Sequence, residues 1–419
     1  MGRSRYCDAK RAAGNESDRG RNMPAVQRKM KRLRLLTIGH SYVLSVNRAT
    51  VREVARDPAF DITVAAPQFF HGDLRPLHCE PEPPGSPLKL IPIPARWTRR
   101  IHVFQYSGKA LRDLILRNPF DGIHAWEEPY IFAGYQIARL ARRSGSRFCF
   151  RTAQSLNKRY PPPFSFFERK SLEAADRWIA GGKSVFDNLV ARGYPPDRGR
   201  VITLAVDTSM FRPADEGARE EVRKALGLKP PIIGFTGRLV RAKGLGILMK
   251  ALEGVDPALP WSLLLLGSGE MQSEIEQWAG RLGRQKRVKI HLARHEDVPK
   301  YLAAMDVMVA PSQTMPNWKE QFGRMLIEAF ACAVPIIASD SGEIPHVVGE
   351  AGFIVPEKDV SGWTRTIELL LRDEALRRRT AAVGLARVNQ FSVVEVTQRF
   401  AAFYRDLVGA DRSLSRVDA

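Results

Sequence analysis

Short apolar runs that close at glycine, proline or serine punctuate this chain, and between them lie longer stretches in which apolar residues recur every three or four positions. Leu33-Arg-Leu-Leu-Thr-Ile38 stops at Gly39, and Asp61-Ile-Thr-Val-Ala-Ala66 stops at Pro67. Both have the texture of strands buried on two faces of a parallel sheet. Arg48 to Asp57, Tyr130 to Arg143 and Pro163 to Ala175 have helical spacing, and Gly122-Ile-His-Ala125, Phe148-Cys-Phe150 and Trp178-Ile-Ala180 are strand-like. Such alternation predicts an α/β fold.

The pattern breaks near Met210-Phe-Arg-Pro213, and the polar stretch from Ala214 to Lys229, ending in Pro230-Pro231, suits a linker with a leading helix. A second series then starts: Ile232-Ile-Gly-Phe235, Ser262-Leu-Leu-Leu-Leu266, Val288-Lys-Ile-His291, Val307-Met-Val-Ala310 and Val334-Pro-Ile-Ile-Ala338. Each run is followed by a turn and a helical stretch. Two doubly wound domains in tandem are expected, over 31–210 and 211–390. Residues 391–419 should close the chain with a helix from Val393 to Val408 that packs back towards the first domain, with Phe400, Phe403 and Tyr404 on one side. No internal repeat of fixed period is present.

At 419 residues the chain exceeds what one core usually organises, which agrees with two domains. Its 44% apolar and 26% charged residues are those of an ordinary globular protein. The four cysteines are far apart and form no CxxC, so neither a disulfide framework nor a zinc site is expected, and a reducing compartment fits best. The nearest approach to a membrane span, Gly323 to Ser339, is interrupted by Arg324, Glu328 and Pro335. Residues 1–34 carry eleven Lys/Arg against Asp8, Glu16 and Asp18, without the apolar core of a secretory signal. Residues 1–30 are expected to be a basic, disordered tail; an over-long start, with Met23 or Met30 as the initiator, is the other reading.

The formal charge of +20 is uneven: residues 1–210 hold 36 basic and 19 acidic residues, leaving 29 and 26 for the rest. One-sided basicity marks a surface that meets an anionic partner, whether membrane, nucleic acid or acidic polymer. Within it, Ala95 to Arg117 mix Arg96, Arg99, Arg100, Lys109 and Arg112 with Trp97, Phe104 and Tyr106. That stretch is either a face for an anionic bilayer or a solvated helix with one core side.

Candidate chemistry gathers where strands of the second series end, the side on which doubly wound sheets bind ligands. Gly237-Arg-Leu-Val-Arg-Ala-Lys-Gly244 places Arg238 and Lys243 in one loop, able to clamp a diphosphate or else forming a solvated basic turn. It is not a Walker loop. Gly267-Ser-Gly-Glu270 is a turn whose Gly267 and Gly269 admit close approach of a ligand, or serve strand-to-helix geometry alone. The strongest signal is Glu320-Gln-Phe-Gly-Arg-Met-Leu-Ile-Glu328. Apolar residues predict a buried helix starting near Phe322 or Gly323, so Glu320 would lie above a helix N-terminus able to take a phosphate. Glu328 falls inside that helix, where its carboxylate needs either paired ligand hydroxyls or an ion pair with Arg238 or another base.

The spacing E-x7-E, preceded by G-R-x4-K-G and G-x-G-E, resembles glycosyltransferase family 4 of the GT-B fold, in which two Rossmann-like domains face each other across a cleft. Ala304-Met-Asp-Val-Met-Val-Ala-Pro-Ser312, Glu343-Ile-Pro-His-Val-Val348, Gly352-Phe-Ile-Val-Pro356 and Val206-Asp-Thr-Ser-Met-Phe-Arg-Pro213 extend the likeness over most of residues 31–409. The resemblance implies a retaining, metal-independent transferase using a nucleoside diphosphate sugar and no cofactor. It gives the diphosphate to Arg238 and Lys243, the ribose to Glu328, and the hexose to Glu320 and the amides of Phe322 and Gly323. Gly237, Gly267, Gly269, Arg294 and Arg324 complete the donor site, with Ala293 to His295 lining the base pocket largely through backbone. Glu320, Arg238 and Lys243 would serve the chemistry, in which the leaving phosphate accepts the proton of the acceptor hydroxyl and the new bond forms on the same face.

The chain departs from that pattern in the first domain. Gly39-His-Ser-Tyr replaces a common glycine pair, leaving His40 as the only candidate ligand in that turn, and Gln154 stands where a histidine is common. His40, His124 and Gln154 are the acceptor-side candidates, with His124-Ala-Trp-Glu-Glu128 and Tyr160-Pro-Pro-Pro-Phe164 lining a cleft or serving only as loop and core. The leading expectation is a cytoplasmic transferase at the inner face of an anionic membrane, extending a lipid-linked or polysaccharide acceptor. Its rivals are a soluble transferase making a small glycoside and a basic nucleic-acid-binding protein. No nucleic acid is expected, since no helix-turn-helix, zinc-finger or RNP-like signature is present.

Overall fold

The structure, a computed structural model, describes residues 32–72 and 76–409, and the basic tail read at residues 1–30 lies outside them. Apolar runs without polar alternation become the central strands, covered on both faces, while edge strands and hairpins stay partly exposed. In the first lobe these are β1 (Leu33–Ile38), β2 (Phe60–Pro67), the hairpin β3 (Phe69–His71) and β4 (Pro76–His78), and β5 (Lys89–Ile93). A second hairpin, β6 (Ala95–Arg96) and β7 (Gln105–Tyr106), precedes β8 (Gly122–Ala125), β9 (Arg147–Thr152), β10 (Arg177–Ala180) and β11 (Gly199–Val201). Seven of them form one sheet in the order β11-β10-β9-β8-β1-β2-β5, every pairing parallel.

The second lobe repeats the design with β12 (Ile232–Thr236), β13 (Ser262–Leu266), β14 (Val288–His291), β15 (Val307–Ala310), β16 (Ile336–Ser339) and β17 (Phe353–Val355). Their order is β14-β13-β12-β15-β16-β17, again all parallel. Each sheet reverses direction of strand order once, between β1 and β8 and between β12 and β15. At such switch points the loops diverge and leave a crevice.

The last helix, Val393–Gly409, returns to the first lobe, where Val396, Phe400, Phe403, Tyr404 and Leu407 are buried in the same core as β1, β2 and β8. Both lobes belong to one compact unit beginning at Arg32. Among the described residues, side chains cross between them: Arg324 after β15 donates to Asn47 after β1, Lys158 after β9 donates to the carbonyl of Asn317 after β15, and Glu343 after β16 accepts from Lys183 and Ser184 after β10. Every partner follows the carboxyl end of a strand, so the two sheets present their ligand-binding edges to each other.

Ala95–Arg117 is not one helix. Its first part makes the β6–β7 hairpin, and only Gly108–Leu116 is helical, with Leu111, Leu114 and Ile115 inward.

Candidate functional site

At the switch point of the second lobe, the loop after β12 runs over the end of β15. A three-residue turn, Arg241–Lys243, ends at Gly244 with φ +74°, where a Cβ would lie 1.7 Å from the carbonyl oxygen of Pro311. Only glycine allows that approach. It brings Lys243 inward, its Nζ 2.5 Å from Glu320 Oε2 and 5.0 Å from the centre of the Trp318 ring. Ser312 Oγ donates to the same carboxylate oxygen at 2.8 Å. Lys243 and Glu320, which the sequence places 77 residues apart, therefore form one nearly buried ion pair. Arg238 is half-buried in the same loop.

The helix after this pair spans Arg324–Ala331 and is preceded by Gly323 at φ +81°. Among the described residues no side chain caps it and no acid lies in its first turn, and free amides with the dipole at a helix start favour an anion. Phe322 turns into the core against Phe391. Any ligand contact it makes must use its backbone.

Glu328 is 7% exposed and makes no hydrogen bond or ion pair among the described residues, and the base whose charge acts on it is Arg324. Burial raises its pKa to about 7, with the Arg324 guanidinium pulling the other way. An unpartnered acid in a crevice is poised for hydroxyl donors.

The turn after β13 packs on the neighbouring loop. A Cβ on Gly267 would meet the carbonyl of Gly237 at 1.9 Å, and one on Gly269 that of Leu239 at 2.4 Å. On their Cβ side both glycines are packed by the neighbouring loop, which fits the strand-to-helix reading of this turn. The Arg294 side chain, after the end of β14, is 76% exposed and bound to Glu296 and Asp297. His124 does not line a cleft. It is 2% exposed, its Nδ1 2.9 Å from the Tyr404 hydroxyl, and burial lowers its pKa to about 3. Gln154 braces its own loop, accepting from Leu156 N at 3.0 Å and donating to Tyr160 Oη at 2.8 Å.

His40 is at the switch point of the first lobe. Its backbone N and its Nδ1 each lie 2.6 Å from a Glu127 carboxylate oxygen, Tyr106 Oη donates to that carboxylate at 2.7 Å, and the His40 ring stacks on Phe70 at 4.8 Å. The sequence reading has Glu127 only inside the stretch His124-Ala-Trp-Glu-Glu128 and Tyr106 only in the basic aromatic stretch, with no site role for either. Two adjacent acids directly after a fully buried strand, Glu127-Glu128, were the available signal. Among the described residues no group of three or more His, Cys, Asp or Glu could hold a metal ion, and no helix is long and apolar enough to cross a membrane.

Two parallel-sheet lobes joined at their carboxyl edges, with a cation loop and an uncapped helix at the second switch point, define the GT-B architecture. Residues 218–384 match Glycosyl transferases group 1 and residues 48–210 match Glycosyltransferase Family 4, and the chain belongs to this glycosyltransferase family. It is 31% identical to alpha-maltose-1-phosphate synthase of Mycolicibacterium smegmatis over 58% of this chain and 66% of that one. It is 30% identical to D-inositol 3-phosphate glycosyltransferase 1 of Catenulispora acidiphila over 60% of this chain and 62% of that one. The matched region thus takes in less than two thirds of these relatives' length. Among solved structures, Anabaena HepE in complex with UDP and glucose superposes with TM-score 0.68 at 18% identity, covering 90% of this chain and 100% of that one. WaaG, a glycosyltransferase involved in lipopolysaccharide biosynthesis, does so at 0.65 and 15%, covering 90% and 100%.

Proposed function

We propose that this chain is a retaining transferase that moves a hexose from a nucleoside diphosphate sugar to a hydroxyl of a saccharide or lipid-linked acceptor, without a metal. The observation that carries the reading is the buried, unpartnered Glu328 carboxylate on a helix whose uncapped N-terminus adjoins the Lys243–Glu320 pair. Ribose hydroxyls satisfy Glu328. The diphosphate meets the helix amides, Arg238 and Lys243, which stabilise negative charge as the sugar–phosphate bond breaks. Lys243 then exchanges part of its hold on Glu320 for phosphate, freeing a Glu320 oxygen for the hexose. The departing phosphate oxygen takes the acceptor proton, so the acceptor attacks from the face the nucleotide leaves. The UDP and glucose in HepE support a nucleotide-sugar donor.

Calorimetric titration with UDP-, GDP- and ADP-glucose tests the donor half. Glu328→Ala and Arg238→Ala should each weaken binding of the preferred donor by roughly tenfold or more, about 1.4 kcal/mol or above. Undiminished affinity in both folded variants would sink the reading.

Membrane recruitment is part of this reading and rests on the first lobe. Trp97 is 62% exposed, Ile101 and Phe166 are exposed too, and Arg96, Arg99 and Arg100 make no ion pair among the described residues. His102 links the stretches, its ring 5.7 Å from Phe164 and its carbonyl accepting from Phe132 N. An exposed tryptophan among arginines suits an anionic bilayer, and a lipid-linked acceptor in cell-surface polysaccharide or glycolipid synthesis. A soluble reading has its own support in the small phosphorylated compounds named for the two relatives. Flotation with phosphatidylglycerol liposomes separates them: co-flotation that is lost in Trp97→Ala/Arg99→Ala/Arg100→Ala supports the membrane, and none at all supports the soluble enzyme.

A further inference from the structure

One buried carboxylate of the second lobe ends in the first. Glu343 follows β16 and is 2% exposed. Lys183 N donates to its Oε1 at 2.7 Å, Ser184 N to its Oε2 at 2.8 Å, and Ser184 Oγ to Oε2 as well. Those amides open the helix Lys183–Ala191 of the first lobe, whose N-cap residue, Gly182, has no side chain to offer. A Cβ on Gly182 would lie 2.3 Å from the Glu343 carboxyl carbon. The helix of one lobe is therefore capped by an acid of the other, with the charge at the favourable end of its dipole.

The loop that carries Glu343 also rests on the donor site. Glu343 N donates to the carbonyl of Glu320 at 3.0 Å, and Gly342, at φ +60°, lies so close that a Cβ would meet that carbonyl at 2.0 Å. Glu320 is the residue whose side chain holds Lys243. One short segment thus touches the backbone of the donor loop at one end and the first lobe at the other. A buried carboxylate cannot stay dry without these amides, so it is either docked on the helix or hydrated with the lobes apart. The crossings from Arg324 to Asn47 and from Lys158 to Asn317 are single hydrogen bonds.

We infer that Glu343 is a positioning residue, a latch that sets the spacing of the two lobes and makes that spacing depend on the state of the donor loop. Its link to catalysis rests on the proposed transfer reaction; the latch itself does not. With the carboxylate docked, acceptor and donor edges are held at reacting distance. A shift of Glu320 on donor binding is passed through Gly342 and Glu343 to the first lobe.

Small-angle scattering and steady-state kinetics on the full chain test this, with wild type, Glu343→Gln and Ser184→Ala, each with and without UDP. Glu343→Gln sets an amide N–H against a backbone N–H and should undock, giving a larger radius of gyration without UDP. UDP affinity should change by less than about threefold, because the Glu343 carboxylate meets the first lobe and only its backbone touches the donor loop, so the reciprocal coupling is small, while kcat falls roughly ten- to hundredfold from lost alignment. Ser184→Ala, which removes one of the three bonds, should fall between. Should Glu343→Gln prove unfolded by circular dichroism, Ser184→Ala decides alone by the same two measurements. Scattering identical to wild type overturns the latch, even with a loss of kcat, since Glu343 would then only prop Glu320. If wild type binds none of UDP, GDP and ADP, the donor-site reading fails, yet the scattering comparison still judges the latch.

Discussion

At the scale of single residues, Glu328 holds a contradiction that pH exposes. Its carboxyl titrates near 4.5 when unfolded and at about 7 in the fold. The folded state thus binds the proton more tightly, and the stability this provides is complete below about pH 4.5 and lost as pH rises through 7. The gap corresponds to roughly 3 kcal/mol at most. Glu328→Gln should therefore resemble wild type in urea denaturation at pH 4.5 and exceed it by about 1–3 kcal/mol at pH 8, while binding the donor more weakly. A variant destabilised at pH 8 would mean that Glu328 is satisfied within the protein. His124 runs the other way, since burial lowers its pKa and stability should fall as pH drops below its unfolded value of 6.5 towards 3. His124→Ala should cost about 2–4 kcal/mol of stability, as other large-to-small core changes do, and leave kcat and KM per folded molecule unchanged. An acceptor ligand would give the opposite result.

At the scale of elements, Gly244 shows how a turn is made to serve a side chain. Gly244→Ala must relieve both a positive φ and a clash with Pro311, so the loop shifts and carries Lys243 away from Glu320. A loss of about 2–4 kcal/mol is expected, and donor affinity measured at low temperature, where the variant is still folded, should fall with it. The strands Ser262–Leu266 and Val307–Ala310 have the bounds that their apolar runs predict, because burial on two faces leaves no polar position to blur them. Lys89–Ile93 carries Pro92 and a charged first residue on a sheet edge, while Gly199–Val201 and Phe353–Val355 are three residues long. Edge strands like these are kept short and broken, so their pattern is too brief to read. The same physics governs the site. Glu320 to Glu328 was legible because one turn and one helix hold all its parts. Glu127 is 87 residues from His40, and Glu343 is 160 from Lys183, so each pair exists only once the chain has folded.

At the scale of the whole molecule, the chain is closed by its last helix rather than by the end of its second lobe. Val393–Gly409 leaves the second lobe, with Val393 N bonded to the carbonyl of Val206, and then fills the first core with Phe400, Phe403, Tyr404 and Leu407. Tyr404 Oη bonds the otherwise buried His124, and Arg405 and Asp406 reach Asp57 and Arg177 at the surface. Four large apolar side chains at about 1.5–3 kcal/mol each exceed much of the net stability of a typical domain. A chain ending at residue 392 should therefore lose the first lobe while keeping the second, whose cores do not include this helix. Amide hydrogen exchange would read this directly, with protection lost across β1, β2 and β8 and retained across β12, β13 and β15. Nucleotide affinity in that truncated chain should survive in part, because Arg238, Lys243, Glu320 and Glu328 all lie in the second lobe, whereas transfer should be abolished. Retained protection in β1 and β8 would show that the first lobe folds without the returning helix, and would reduce the helix to a surface strap.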